Sequence, residues 1–218
     1  MTTKEKIIES AIELFNRQGY GVVTLTELAD HLEMSRGNLA YHFRDKELIL
    51  EEIARNLQRE IDEEMKKRRD FPAFSNLQVD IKSYHKLQLK YPFIFGNNSV
   101  LQHAAIHEVM NSWAAKTIQN NTEAFAFAVK EGNMQPEPFP GQYHNLAINT
   151  WIIIYFWLSQ KNVRKDSSRD DAEKMVWSTI LPHFTAKGIK AFEKHYGKNF
   201  VQTLGKPFEK VTQQLWAF

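Results

Sequence analysis

Two side chains in one short stretch of this sequence have the donor geometry needed to read DNA bases. Arg36 and Asn38 lie two residues apart, directly after Ser35. An arginine can donate two parallel hydrogen bonds to guanine, and an asparagine amide can pair with adenine. Gly37 lies between them and allows a close backbone approach. This spacing predicts contacts with base edges, provided that one helix presents both side chains together.

The surrounding residues predict a helix-turn-helix as the element that presents them. Thr24 and Glu27 have the spacing of a capping box at the start of a short helix. Apolar residues then recur on one helical face at Leu25, Leu28, Ala29 and Leu32. Ser35 is a candidate N-cap for a second helix, and Asp45 for a third. The second helix would then be the recognition helix, whose first residues reach the major groove.

Polar groups around these helices extend the predicted DNA interface. The two helix N-termini offer free amides to phosphate. Tyr41, His42 and Lys46 lie where their polar ends could touch the DNA backbone. The complete predicted set is Thr24, Thr26, Ser35, Arg36, Gly37, Asn38, Tyr41, His42 and Lys46.

Residues 35–48, SRGNLAYHFRDKEL, resemble the signature of the TetR/AcrR family of bacterial transcriptional regulators. The upstream pattern Ala11, Leu14, Phe15, Gly19, Tyr20, Thr24, Leu28 and Ala29 also fits, so that the resemblance covers about the first 50 residues. It implies an N-terminal DNA-binding domain and a second domain that binds a small effector. It also implies a homodimer in which two C-terminal helices of each subunit form a four-helix interface.

Two positions depart from the pattern of that family. Members usually have glycine in the turn where Glu33 stands. A glutamate with positive φ there would cost about 1 kcal/mol, or else the turn differs from that of the family. Members usually have tyrosine where Ala40 stands. One phosphate or thymine-methyl contact is therefore expected to be missing or supplied by Tyr41.

The net charge gives little electrostatic support for nucleic-acid binding. The first 48 residues contain 6 lysines and arginines and 8 aspartates and glutamates, which gives a balance of −2. Affinity for DNA must therefore depend on where the charges lie and on doubling of the module in a dimer.

The remainder of the chain predicts an all-α protein with no strands. We expect a three-helix DNA-binding domain at residues 1–48 and a helical bundle for ligand binding and dimerisation at 49–218. Helices are expected at residues 2–18, 46–69, 74–90, 99–105, 106–131, 142–161, 169–187, 189–196 and 207–216. Residues 93–98 are expected to form a bend, and the prolines at 134–141 predict a loop.

The helix at 142–161 is the predicted centre of the dimer. Residues 151–158 are apolar on every side, and such a helix is buried all round. One face can pack into its own subunit and the other against a partner. The helix at 169–187, with a kink expected at Pro182, would complete the interface implied by the resemblance.

The sequence also predicts a ligand pocket in the second domain, with core packing as the alternative. Aromatic residues suit a flat or hydrophobic ligand. The predicted lining is Tyr84, Phe95, His103, Trp113, Phe127, Trp151 and Tyr155. The alternative for each of these residues is ordinary core packing.

Other functional classes find less support. The chain has no cysteine, no Gly-x-Ser-x-Gly and no phosphate-binding glycine loop, so we expect neither an enzyme nor a cofactor. The longest apolar run is too short to span a membrane, and we expect a cytoplasmic protein. Two alternatives stay open, a helical protein-interaction adaptor with a purely structural helix-turn-helix and a metal sensor using His103 and His107.

Overall fold

A computed structural model describes residues 1–164 and 172–205, with side chains described outside 161–164. No β-strand occurs in these ranges, in which Met134 and Phe184 form an isolated antiparallel bridge. The prediction of an all-α fold is confirmed.

The helices of the described ranges are α1 (Thr3–Gln18), α2 (Leu25–His31), α3 (Arg36–His42), α4 (Lys46–Met65), α5 (Phe74–Lys90), α6 (Pro92–Phe95), α7 (Asn98–Leu101), α8 (Ala104–Lys130), α9 (Gln142–Arg164), α10 (Ala172–Ile180), α11 (Ala186–Tyr196) and α12 (Lys198–Thr203). A 3-10 turn at Leu181–His183 follows α10.

The chain divides into two compact units. Unit 1 comprises residues 1–63 and 86–113, and unit 2 comprises residues 64–85 together with the described residues from 114 onward. Helices α4, α5 and α8 each contribute residues to both units.

Asn16 ties the first helix of unit 1 to the last residue of α5 and to α6. Its Nδ2 donates to the carbonyl of Lys90 at 2.9 Å, and its Oδ1 accepts from the amide of Phe93 at 3.3 Å. The Phe93 ring packs against Phe15, with 5.3 Å between ring centroids. Polar and apolar contacts therefore hold α1 against the end of α5 and α6.

Unit 2 is organised around aromatic rings and one close backbone approach. Phe74 packs against Trp177 and Phe192, with ring centroids 5.6 and 5.5 Å away. Gly188 in α11 is buried against the carbonyl of Asn133, so that a Cβ at this position would collide with the backbone. Any larger residue at 188 would push α11 away from the end of α8.

Several predicted helix limits were wrong, for local reasons. Helix α4 ends at Met65 rather than 69, because Asn76 bonds the backbone of Arg69 and Phe71 and holds that segment out of the helix. The predicted bend contains α6, which begins at Pro92, since proline suits the first helical position.

The later helices also differ from the predicted limits. Helix α8 begins at Ala104, and a 3-10 turn at Pro182 ends the helix that was expected to continue to residue 187. The short helix α12 was not predicted. The helix predicted at 207–216 lies outside the described residues, as does the expected start of α10 at 169.

A buried ion pair joins the α4–α5 loop to α5 within unit 2. Arg68 donates to Asp80, whose carboxyl is 1% exposed. Burial raises the pKa of Asp80 above its ordinary value, and the guanidinium opposes that shift.

Replacing Arg68 by methionine should lower the free energy of unfolding by about 3 kcal/mol near neutral pH, because the carboxylate loses its buried counter-ion. The folded-state pKa of Asp80 would rise further while the unfolded-state pKa stays ordinary. The variant's loss of stability relative to the parent is therefore complete above the pKa of Asp80 in the folded variant, and it shrinks as the pH falls below that pKa. Urea denaturation between about pH 5 and about pH 8 measures this, with the exposed Arg55→Met as control. A loss independent of pH would contradict the expectation.

Candidate nucleic-acid interface

Helix α3, the predicted recognition helix, presents its first residues to solvent. Ser35 caps the helix and accepts from the amide of Asn38 at 3.2 Å, as the sequence predicts. Arg36, Gly37 and Asn38 are all exposed, whereas Leu39 is 1% exposed and anchors the helix in the core. Within the described ranges, neither the Arg36 guanidinium nor the Asn38 amide side chain has a bonding partner. Their donors are available to a ligand.

The start of α2 is a complete capping box. Thr24 Oγ1 accepts from the amide of Glu27 at 3.2 Å, and Glu27 Oε2 accepts from the amide of Thr24 at 2.7 Å. The hydrogen bond from that backbone amide lowers the pKa of Glu27. The Thr24 hydroxyl is therefore occupied, and the amides without a partner in the helix are those that follow it, including the amide of Thr26.

Tyr41 is the most exposed aromatic residue of unit 1. Its side chain is 86% exposed and meets the ring of His42 edge-on at 5.3 Å between centroids. A hydroxyl on so exposed a ring can reach a phosphate. The structure thus places Tyr41 and His42 beside each other at the end of α3.

The turn between α2 and α3 contains a residue other than glycine in the left-handed backbone conformation. Glu33 has φ 53°, and it is the sole non-glycine residue with positive φ among those described. The amide of Met34 donates to the carbonyl of Ala29 at 3.0 Å and closes the turn. The glutamate adopts the conformation expected of a glycine there, at a cost of about 1 kcal/mol.

Lys46 holds the loop that precedes α2. Its Nζ donates to the carbonyls of Tyr20 at 2.6 Å and Val23 at 2.8 Å, and lies 4.3 Å from the centre of the Tyr20 ring. Partial burial lowers the pKa of this ammonium. The predicted phosphate contact of Lys46 stays a prediction, since the structure shows the side chain bound to backbone instead.

Intramolecular ion pairs use several other cations of this region. Lys4 pairs with Glu52 at 2.9 Å, and Arg44 lies 3.5 Å from Asp45. Sequence patterns did not reveal the Lys4 contact, because 48 residues separate the two partners. Lys6 and Arg36 are exposed cations with no carboxylate partner in the part of unit 1 that the structure describes.

The seven residues predicted to line a ligand pocket do not form one site. Phe95, His103 and Trp113 belong to unit 1, and Tyr84, Phe127, Trp151 and Tyr155 belong to unit 2.

Three of the unit 2 residues form a bonded aromatic cluster instead of an open wall. Trp151 Nε1 donates to the Tyr84 hydroxyl at 3.1 Å, and the Tyr84 ring lies 6.3 Å from that of Tyr155. Burial raises the pKa of Tyr84. For these residues the structure favours the core alternative.

Unit 2 does contain a cavity, of about 420 Å³. Its walls come from the α4–α5 loop and the start of α5, from the second half of α8 and the following turn, and from α10 and α11. Of the seven predicted residues, Phe127 lines this cavity. The other six residues do not line it, and most of them are buried in aromatic or hydrogen-bonded packing.

His103 lies in unit 1, where Nε2 is 2.9 Å from a carboxylate oxygen of Glu47. In the described part of the chain, no group of three or more His, Cys, Asp or Glu residues is placed to hold a metal ion. A search of the same residues finds no helix that is both long and apolar enough to span a bilayer.

Two family descriptions match consecutive parts of the chain. "Bacterial regulatory proteins, tetR family" matches residues 7–53, and "Bacterial transcriptional repressor" matches residues 56–192. The HTH-type transcriptional regulator QacR of Staphylococcus aureus is 32% identical over 149 residues, which cover 63% of this chain and 74% of that protein.

Solved structures share the fold. A TetR-family transcriptional regulator from Marinobacter aquaeolei VT8 superposes with a TM-score of 0.73 at 23% identity, covering 94% of this chain and 98% of the other. The structure of AibR in complex with isovaleryl coenzyme A and operator DNA gives a TM-score of 0.60 at 17% identity, covering 83% and 97%.

Replacing Lys46 by methionine separates its two candidate roles. Loss of the bonds to Tyr20 and Val23 should lower the free energy of unfolding by about 2 kcal/mol. If Lys46 acts only by positioning, DNA affinity falls while its dependence on salt is unchanged. If it also contacts phosphate, the slope of log K against log salt falls by about 1. Lys6→Met is the control for stability, because the Lys6 side chain is exposed and has no ion-pair partner in the described part of unit 1.

Proposed function

The chain belongs to the TetR family of bacterial transcriptional regulators, and we propose that it is a repressor that binds a palindromic operator as a homodimer. A small hydrophobic effector would release it from DNA. The observation that carries this proposal is the exposed, unpartnered Arg36 and Asn38 on a capped recognition helix. We place the boundary between the DNA-binding domain and the effector and dimerisation domain at residues 48 and 49, and the site of action in the cytoplasm.

The proposed reading of DNA divides between base and backbone contacts. Arg36 and Asn38 would donate to base edges in the major groove. Tyr41, His42 and the N-terminal amides of α2 and α3 would contact phosphate and fix the register. Because few cations of this region are free, specificity depends on the two base-reading residues and affinity on pairing two modules.

An exposed apolar face on α9 supports the homodimer. Phe156 is 50% exposed and Ile152 40% exposed, at a spacing of four residues that places them on one helical face. On the inner side of the same helix Ile154 and Trp157 are buried at 0% and 4% exposure. A second copy of α9 would cover the outer face, and the sequence expectation of a helix buried all round would then hold in the dimer.

Effector control would follow from the geometry of two half-sites. A dimer on a palindrome needs its recognition helices about 34–36 Å apart. Helix α4 begins directly after the helix-turn-helix and continues into unit 2, so a shift of α4 would change that separation. Effector and DNA would then weaken each other's binding by the same factor. AibR, which shares the fold, has been solved in complex with isovaleryl coenzyme A and operator DNA.

Arg36→Ala and Asn38→Ala should each reduce discrimination between operator and unrelated DNA by about tenfold or more, with folding and dimerisation intact. The measurement is a gel shift with DNA flanking the chain's own coding region, repeated at several salt concentrations. Lys194→Ala on α11 is the control and should bind as the parent does.

Operator binding with unchanged selectivity in both variants would show that α3 is not the reading element. A parent protein that shifts no DNA selectively at moderate salt would favour the interaction-adaptor alternative.

Phe156→Asp should convert the protein to a monomer, because it places a charge at the centre of the proposed interface. Light scattering after size-exclusion chromatography gives the mass, and the gel shift should show at least about a hundredfold weaker operator binding. Phe139→Asp is a matched control, since Phe139 is 53% exposed but lies in the loop before α9. A dimeric Phe156→Asp variant would locate the interface elsewhere.

A further inference from the structure

The cavity in unit 2 has aromatic walls, and of the predicted pocket residues Phe127 alone is among the rings that line it. Rings line it from three helices and two connecting segments, namely Phe71, Phe74, Phe125, Phe127, Trp177 and Phe184. Its volume of about 420 Å³ lies in the range of pockets that hold small molecules. Flat walls of this kind select planar, apolar ligands, because aromatic rings stack best on other rings.

One buried polar group in the wall lacks a hydrogen-bond partner. Asn121 on α8 lines the cavity and is 8% exposed, and its Nδ2 is buried with no hydrogen-bond acceptor. A buried amide donor without an acceptor costs free energy, and native structures rarely leave one in that state. An oxygen of a molecule in the cavity would supply the missing acceptor.

The charged residues around the cavity do not call for an ionised ligand. Arg68 is already bound to the buried Asp80, so this pair presents no net charge. Arg69, Asp70 and Glu123 also border the cavity, but all three are exposed residues of mixed sign. An ion in the buried part of the cavity would have no counter-ion there, and its desolvation would oppose binding.

We propose that this cavity binds an uncharged, planar aromatic molecule whose carbonyl or similar oxygen accepts a hydrogen bond from Asn121 Nδ2. The ring lies among the aromatic walls, and the oxygen points towards the second half of α8. The site is separate from the Tyr84–Trp151–Tyr155 cluster, where the hydroxyl and indole groups already bond to one another. Only the consequence for DNA rests on the proposed function.

Prodan, an uncharged naphthalene ketone, is a suitable probe because its emission depends on the polarity and hydrogen bonding of its carbonyl. Titration of the full-length chain should give saturable binding with an emission shift. Asn121→Leu should weaken that binding by about tenfold and remove the part of the shift due to hydrogen bonding. Thermal unfolding of each variant checks that the fold is retained.

Two controls make the result specific. Asn111→Leu changes an exposed asparagine on the same helix outside the cavity, and should bind prodan as the parent does. Ala124→Phe fills the cavity from α8 and should abolish binding even if Asn121→Leu fails to fold. Anilinonaphthalenesulfonate, an aromatic anion, should bind more weakly than prodan.

Absence of saturable prodan binding, or equal affinity and emission in Asn121→Leu and parent, would overturn the inference. Tighter binding of the anion, lost in Arg69→Gln, would overturn the uncharged ligand class. Operator binding measured with and without prodan separates the two proposals. Prodan binding with unchanged operator affinity keeps this site and removes it as the effector site, whereas intact operator binding without prodan binding overturns this inference alone.

Discussion

The hydrogen bonds of the Lys46 ammonium hold the loop that leads into the helix-turn-helix. Lys46 opens α4 and donates to two carbonyls of the loop that leads into α2, at 2.6 and 2.8 Å. The same loop contributes the Tyr20 hydroxyl, which donates to Glu47 at 2.8 Å. Two consecutive residues of α4 thus hold the entry to α2. Three hydrogen bonds therefore join the loop before α2 to the first turn of α4.

The N-terminal module has few free positive charges, and this limits how strongly it can attract DNA. Its balance is negative, and Lys4 and Lys46 are engaged within the protein. Long-range attraction to phosphate is therefore weak, and the proposed selectivity depends on short-range donors at Arg36 and Asn38. In the proposed homodimer, two weak contacts on one DNA would gain from effective concentration. The uncovered face of α9 is consistent with that homodimer.

The buried polar groups of unit 2 are of two kinds, those paired within the protein and those without a partner. Most are paired inside the protein, as in the Arg68–Asp80 ion pair and the hydrogen bond between Trp151 and Tyr84. Asn121 is an exception that faces a cavity. In a tightly packed interior, a void beside an unsatisfied donor is costly unless something occupies it. The cavity and the amide thus point to the same ligand chemistry.

The sequence alone determined the local features, because their signals act over three or four residues. The helix caps at Thr24 and Ser35 and the polar start of α3 follow from short spacings. Resemblance to a family supplied the function class. Only the tertiary structure decided which lysines were free, which aromatic residues formed solid core and where a cavity remained. Those outcomes depend on residues brought together from distant parts of the chain, and no local pattern records such pairings.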